Sequence, residues 1–251
     1  MNESKFDGKG QMYARFRPAY AIAFMDYLYA EVGIDAGSVI ADVGSGTGIF
    51  TRQLLERGNK VYAVEPNHDM RVVAETDLSG FGGFVSIEGS AESTMLADGS
   101  VDCITVAQAF HWFDRNRFKT ECRRILKPGG RVILVWNSRD DASELVSENE
   151  AVNRKYCPDF KGFSGGMRFT EGNEDFHAFF KGAFEAEIFR NDLVFDEPEF
   201  VGRNLSGSYA LKETDNDYDA YVAAIKGLFY KYADNGLLIM PNITRSFVGT
   251  V

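Results

Sequence analysis

The stretch Asp42-Val43-Gly44-Ser45-Gly46-Thr47-Gly48 closes an apolar run, Val39-Ile40-Ala41, with three glycines at alternate positions. Glycine permits a sharp turn and a close approach of backbone to a ligand, and a helix beginning just afterwards offers unpaired amides at its N-terminus. The pattern suits a loop that cradles a small molecule, with Gly44, Ser45, Gly46 and Gly48 as its candidate contacts. The spacing is G-x-G-x-G, whereas the dinucleotide fingerprint G-x-G-x-x-G needs glycine at position 49, where this chain has Ile49. Asp42 can either reach a ligand through water or brace the loop. A second carboxylate, Glu65, follows Val61-Tyr62-Ala63-Val64 and precedes Pro66. At that strand end an acidic side chain can accept hydrogen bonds from both hydroxyls of a ribose and would repel a 2′-phosphate, which disfavours NADP. Further on, Gly89-Ser90-Ala91-Glu92 supplies a small polar side chain and exposed backbone where an adenine edge would lie.

Gln108, Phe110, His111 and Trp112 follow the apolar run 101–107, at the edge where a doubly wound sheet presents its ligand. These side chains are expected to line the pocket, Gln108 and Phe110 toward the cofactor and His111 and Trp112 toward the substrate. Imidazole titrates near neutral pH, so His111 can serve as a general base; a positioning or packing role fits the same residue. Asp140-Asp141 invites a metal-site reading, but two adjacent acids read more simply as a solvated loop, and no metal is expected. Cys103, Cys122 and Cys157 have no metal-like spacing, and their odd count suggests reduced thiols.

The elements that must position these groups follow from periodicity. Apolar β-type runs at 38–43, 60–65, 84–88, 101–107 and 131–136 alternate with helical stretches. One helix starts near Ile49. A second, about 67–77, has Asn67 as its cap, and a third begins after Asp114, another cap, and stops at Leu126-Lys127-Pro128-Gly129-Gly130. Continuous apolar strands joined by helices predict an α/β fold, a Rossmann-like, mostly parallel sheet with helices on both faces. The run 184–195 alternates as one strand, 215–233 reads as a helix and 243–251 as a terminal antiparallel strand. The amphipathic segment 18–32, which holds Tyr20 and follows Tyr13, Phe16 and Arg17, suggests a lid, and the phenylalanine-rich stretch 156–200 a helical and aromatic cap. The expected organisation is therefore a lid at 1–37, a cofactor-binding core at 38–137 and a cap with closing strands at 138–251, all within a single domain.

A chain of 251 residues with 45% hydrophobic content can bury a full core of this kind. Its 27 Lys and Arg stand against 37 Asp and Glu, and a net charge of −10 would repel a polyanionic backbone, so nucleic acid is a poor candidate substrate. No apolar run approaches the roughly 20 residues that span a bilayer, and the polar start is unlike a signal peptide, so the expected compartment is the cytoplasm.

At Asp42 to Gly48, Glu65-Pro66, Gly89 to Glu92, Val101 to Ala109 and Leu126 to Gly130, the chain resembles the class I S-adenosylmethionine-dependent methyltransferases. With Tyr13 to Tyr20 and Ala109 to Asp114 added, it is similar to the small-molecule branch that includes trans-aconitate methyltransferase-like proteins. The resemblance covers residues 13 to 137 well and the remainder loosely. It implies that S-adenosylmethionine is the cofactor and that a small molecule accepts its methyl group. Gly44 and Gly46 would pass under the methionine part, Glu65 would hold the ribose, and Ser90 with Ala91 would meet the adenine. Many relatives carry Asp at the position of Ser90, which replaces a charged contact with a single hydrogen bond. Tyr13, Arg17 and Tyr20 would close over the cofactor. A nicotinamide-dependent oxidoreductase and a non-catalytic cofactor-binding scaffold are the competing readings.

Overall fold

The computed structural model describes residues 18–163, 174–207 and 209–251. Within these, the chain forms two compact units, one of 18–136, 174–189 and 244–251, the other of 137–163, 190–207 and 209–243.

The first unit is built on a seven-stranded sheet, ordered β3-β2-β1-β4-β5-β9-β6, mostly parallel with one antiparallel strand and helices around it. Its strands are β1 (Val39–Val43), β2 (Lys60–Val64), β3 (Phe84–Ile87), β4 (Val101–Ala107), β5 (Leu126–Arg139), β6 (Glu185–Arg190) and β9 (Asn242–Gly249). β1 pairs in parallel with β2 on one side and β4 on the other, so the strand order reverses between β1 and β4. In an open α/β sheet the connections leave in opposite directions at such a reversal and open a crevice beyond the strands' carboxyl ends. Ile40, Ala41 and Val43 of β1 and Ile104 and Val106 of β4 are fully buried, as strands covered on both faces require.

Helices α1 (Ile22–Ala30), α2 (Ile49–Glu56), α3 (His68–Leu78), α4 (Arg115–Ile125) and α6 (Glu174–Phe179) accompany this sheet. The two predicted caps form: the Asn67 side chain accepts from Met70 N, and Asp114 accepts from Asn116 N and Arg117 N. Such caps each contribute about 1 kcal/mol by satisfying orphan helix amides. One core cluster gathers Phe24 and Leu28 of α1, Phe50 and Leu54 of α2, and Ala74 and Leu78 of α3 with strand residues Ile40, Val61 and Ile133.

The second unit contains α5 (Glu144–Tyr156), α7 (Glu197–Leu205), α8 (Tyr218–Tyr232) and an antiparallel pair, β7 (Leu193–Phe195) with β8 (Leu238–Met240). Phe160, Phe200, Tyr221, Ile225 and Leu238 form its own apolar core. Through that core runs a buried polar ladder: Tyr221 donates to Asn153 Oδ1 at 2.8 Å, Asn153 to Asn149 O at 2.7 Å, and Asn149 to Asn204 Oδ1 at 3.0 Å. A satisfied buried network of this kind fixes how α5, α7 and α8 register against one another.

Two sequence expectations change. The segment 184–195 is two strands of different sheets, because Asn191 and Asp192 interrupt it. Leu126 to Gly130 does not form a free turn but opens β5, with a register shift between the Val101↔Leu126 and Cys103↔Arg131 pairs. The aromatic stretch supplies core on both sides of the division, Phe176, Phe179 and Phe180 in the first unit and Phe160 and Phe200 in the second.

Gly48 holds α2 against α3: a Cβ there would lie 2.6 Å from Leu78 Cδ1 and 3.3 Å from Ala74 Cβ, and its φ is +80°. Gly48→Ala combines left-handed strain with overpacking and is expected to cost about 2–4 kcal/mol, read as a lower midpoint in urea unfolding of the ligand-free protein. An unchanged midpoint would contradict this packing.

Candidate functional site

The carboxyl ends of β1, β2, β3 and β4 bring the sequence-predicted groups to one edge of the sheet. After β1 the chain turns through Gly44 to Gly48, with Gly44 N and Ser45 N both donating to Val64 O at 2.8 and 3.2 Å. Gly46 N donates to Glu65 Oε2 at 2.9 Å, and Asn67 N donates to Glu65 Oε1 at 2.9 Å. The buried Glu65 carboxylate thus bridges the glycine loop and the start of α3.

The three glycines answer different demands. A Cβ on Gly44 would stand 2.6 Å from Ala109 Cβ and 3.1 Å from the Phe113 ring, so its missing side chain serves contact with the segment after β4. Gly48 serves the packing of α2 on α3. At Gly46, φ is +56° and none of the described residues lies within 4 Å of an added Cβ, so among them the loop is open here. Beside it the hydroxyl of Thr47, a residue 4% exposed, has no hydrogen-bond partner among the described residues. A buried, unpaired hydroxyl is costly and calls for a partner. The open loop face, the orphan hydroxyl and the adjoining carboxylate fit a small ligand with polar ends and a ribose.

Asp42 does not face that opening. It is fully buried at the end of β1, where Oδ2 accepts from Thr51 Oγ1 at 2.6 Å and Oδ1 from Thr105 Oγ1 at 2.9 Å. It is therefore a brace that ties β1 to α2 and β4. Burial pushes its carboxyl up to about 6; the two threonine hydroxyls work against that rise, and the nearby Glu65 charge adds to it.

After β3, Ser90 and Ser93 exchange backbone hydrogen bonds at 3.0 and 3.2 Å, which makes Ser90-Ala91-Glu92 a tight bend. Ala91 is buried, and Glu92 Oε1 accepts from Asp114 N at 2.9 Å, joining this bend to the start of α4. After β4, Gln108 takes a left-handed backbone, φ 61°, unusual for a side chain of its size and the kind of strain that gathers at ligand sites. The short 3₁₀ turn Phe110–Trp112 follows. Phe110 is buried among Phe118, Trp136, Phe176 and Phe179 and anchors the turn as core. His111 and Trp112 are exposed, with their ring centroids 4.6 Å apart. Desolvation by its neighbours and the Arg115 guanidinium lower the pKa of His111, which favours the neutral, proton-accepting imidazole.

Tyr20, expected in a lid, is instead a core residue: its ring packs 4.9 Å from that of Phe50, and its backbone N and O both bond the Gln53 side chain. Tyr13 and Arg17 lie outside the described residues. Pro66 is half-buried next to Glu65, and its carbonyl accepts from Arg71. Asp140 accepts from Ala142 N at 3.1 Å, a local turn. Among the described residues no group of three or more His, Cys, Asp or Glu side chains is gathered as metal ligands, and no helix is long and apolar enough to cross a membrane. Sequence reasoning passed over Thr47, although it stands inside the glycine motif, as well as Thr51 and Thr105, whose roles only the folded strand order reveals.

Known proteins resemble this chain in sequence and in fold. Residues 41–134 match the methyltransferase domain family. A methyltransferase-like protein of Schizosaccharomyces pombe is 33% identical over 212 residues, 82% of this chain and 78% of that protein. A methyltransferase of Mycobacterium tuberculosis is 42% identical over 147 residues; the match spans 58% of this chain and 58% of the length of that relative. Among solved structures, a candidate type II methyltransferase from Anaeromyxobacter dehalogenans shares the fold with a TM-score of 0.64 at 22% identity, covering 94% of this chain and 98% of that one.

The Asp42 brace generates a pH signature. A carboxyl whose pKa is raised in the folded state favours folding fully below the unfolded value and loses that contribution as pH rises through the folded value. Between pH 4 and pH 7 the wild type should therefore lose on the order of 2–3 kcal/mol relative to Asp42→Asn, measured by urea unfolding of both proteins across that range. Parallel curves would contradict a buried, desolvated carboxyl.

Proposed function

This chain belongs to the methyltransferase family, and from that premise we propose that it uses S-adenosylmethionine to transfer a methyl group to a small-molecule acceptor by in-line displacement. The observation that carries the reading is the Glu65 carboxylate bonded to Gly46 N beside the open face of the loop, at the reversal of strand order.

Bound S-adenosylmethionine supplies an activated methyl group on a sulfonium, so the work left to the protein is alignment and exclusion of water. Glu65 would receive the ribose hydroxyls. Gly46 would leave room for the methionine part, and the Thr47 hydroxyl would find a partner there. Ser90 and the backbone at Ala91 would take the adenine edge. Gln108 would line the cofactor side of the pocket, and His111 and Trp112 the acceptor side. The neutral imidazole of His111 accepts a proton at a ring nitrogen when the acceptor is a hydroxyl or an ammonium; a carboxylate acceptor needs no base.

The net charge of −10 supports a small molecule over nucleic acid, and three free, buried cysteines suit the cytoplasm. The small-molecule branch that includes trans-aconitate methyltransferase-like proteins stays part of this reading, and the segment 138–251 is assigned to acceptor selection. Ile49 in place of a third fingerprint glycine weighs against the oxidoreductase alternative.

Calorimetric titration with S-adenosylhomocysteine and NAD tests the cofactor assignment without knowledge of the acceptor. The wild type should bind S-adenosylhomocysteine and not NAD; Glu65→Ala should weaken binding by about 10- to 100-fold, the worth of one or two hydrogen bonds to a charged group. Gly46→Val should abolish it by filling the open face. Binding of NAD alone, or equal affinities in all three proteins, would sink the assignment. His111→Ala should leave S-adenosylhomocysteine affinity unchanged while lowering turnover with a hydroxyl or amine acceptor by about 100-fold, as loss of a general base does. Unchanged turnover with such acceptors would remove His111 from the chemistry.

A further inference from the structure

One buried cation stands beside the cofactor edge and is used by none of the steps above. Arg71, in the first turns of α3, has a side chain 9% exposed. Its Nη1 donates to Glu65 O at 3.0 Å and to Pro66 O at 2.9 Å, and its Nη2 pairs with Glu88 Oε2 at 2.9 Å. Glu65 and Pro66 directly follow β2, and Glu88 directly follows β3. One planar guanidinium therefore spans two neighbouring strand ends, the first bearing the carboxylate for the ribose and the second leading into the bend Ser90-Ala91-Glu92.

The start of α3 does not depend on this tie, because the Asn67 side chain already caps the helix at Met70 N. What Arg71 adds is a fixed main chain beneath the Glu65 side chain. A buried cation is costly unless every donor finds an acceptor, and a rigid fork can serve two carbonyls and a carboxylate together where an ammonium acts as a single point charge. The Glu88 partner is mostly exposed, at 78%, and an ion pair in solvent contributes little, so the two carbonyl bonds are the ones that matter.

We propose that Arg71 is a positioning residue for the adenosine half of the cofactor. By holding the main-chain carbonyls of Glu65 and Pro66, it fixes where the ribose carboxylate stands. The inference rests on the S-adenosylmethionine reading above and acts through Glu65, so its effect must depend on that side chain.

The test is calorimetric binding of S-adenosylhomocysteine to Arg71→Met, Arg71→Lys and Glu88→Gln, with each arginine substitution also made in a Glu65→Ala background. Arg71→Met should weaken binding about tenfold, Arg71→Lys about threefold and Glu88→Gln less than twofold, the scale of one misplaced hydrogen-bonding group. In the Glu65→Ala background both arginine substitutions should cost less than twofold, because the carboxylate they position is gone. Equal affinity of Arg71→Met and wild type, or the same fold-loss in both backgrounds, would overturn the proposal, since a merely structural role does not depend on Glu65. If Arg71→Met does not fold, Arg71→Lys carries the same comparison. A wild type that fails to bind S-adenosylhomocysteine refutes the cofactor reading and this inference with it, whereas binding by wild type with no effect at Arg71 refutes the inference alone.

Discussion

The hydrogen bond from Gly46 N to Glu65 joins two chain segments that the sequence keeps apart, the loop leaving β1 and the first residue beyond β2. It forms only because β1 and β2 lie side by side in parallel register, Val43 opposite Val64, so that both strands end at the same level. The buried brace at Asp42 holds β1 in turn against α2 and β4 through two threonine hydroxyls. Sheet register, glycine loop and carboxylate are thus one construction. The strand order reverses next to it, and that reversal leaves space for a ligand at this edge and not at the opposite one.

Much of the site follows from physical rules that are local in sequence. Continuous apolar strands, the caps at Asn67 and Asp114, the glycine turn and the acid after β2 depend on neighbours a few residues away, so they were legible without coordinates. Other features depend on residues distant in the chain. Gly44 looks like a ligand contact in sequence, but what it must accommodate is Ala109 and Phe113, some 65 residues on in the sequence, which meet it only when β4 pairs with β1. Tyr20 and Phe110 carry the aromatic character expected of pocket walls, and tertiary packing buries both. The choice between cofactor contact and brace at Asp42 turned on Thr105, whose hydroxyl reaches it across the strand pair.

The later part of the chain was harder to read for a different reason. Its helices carry local start signals, Ser143 capping α5 at Val146 N and a capping box between Asp196 and Glu199 opening α7. Those signals sit among so many aromatic residues that periodicity does not separate buried helix from strand. Polar side chains inside that unit, Asn149, Asn153, Asn204 and Tyr221, bond to each other, so their polarity marks specific packing instead of a solvent-facing side.

The edge beyond β1 and β2 is proposed to hold S-adenosylmethionine with its ribose on Glu65. A crystal structure of the protein soaked or grown with S-adenosylhomocysteine tests it most directly. Ligand density is expected over Gly46, with both ribose hydroxyls within about 3 Å of the Glu65 carboxylate and the Thr47 hydroxyl engaged by the ligand. Density at another edge of the sheet, or a ribose turned away from Glu65, would contradict it.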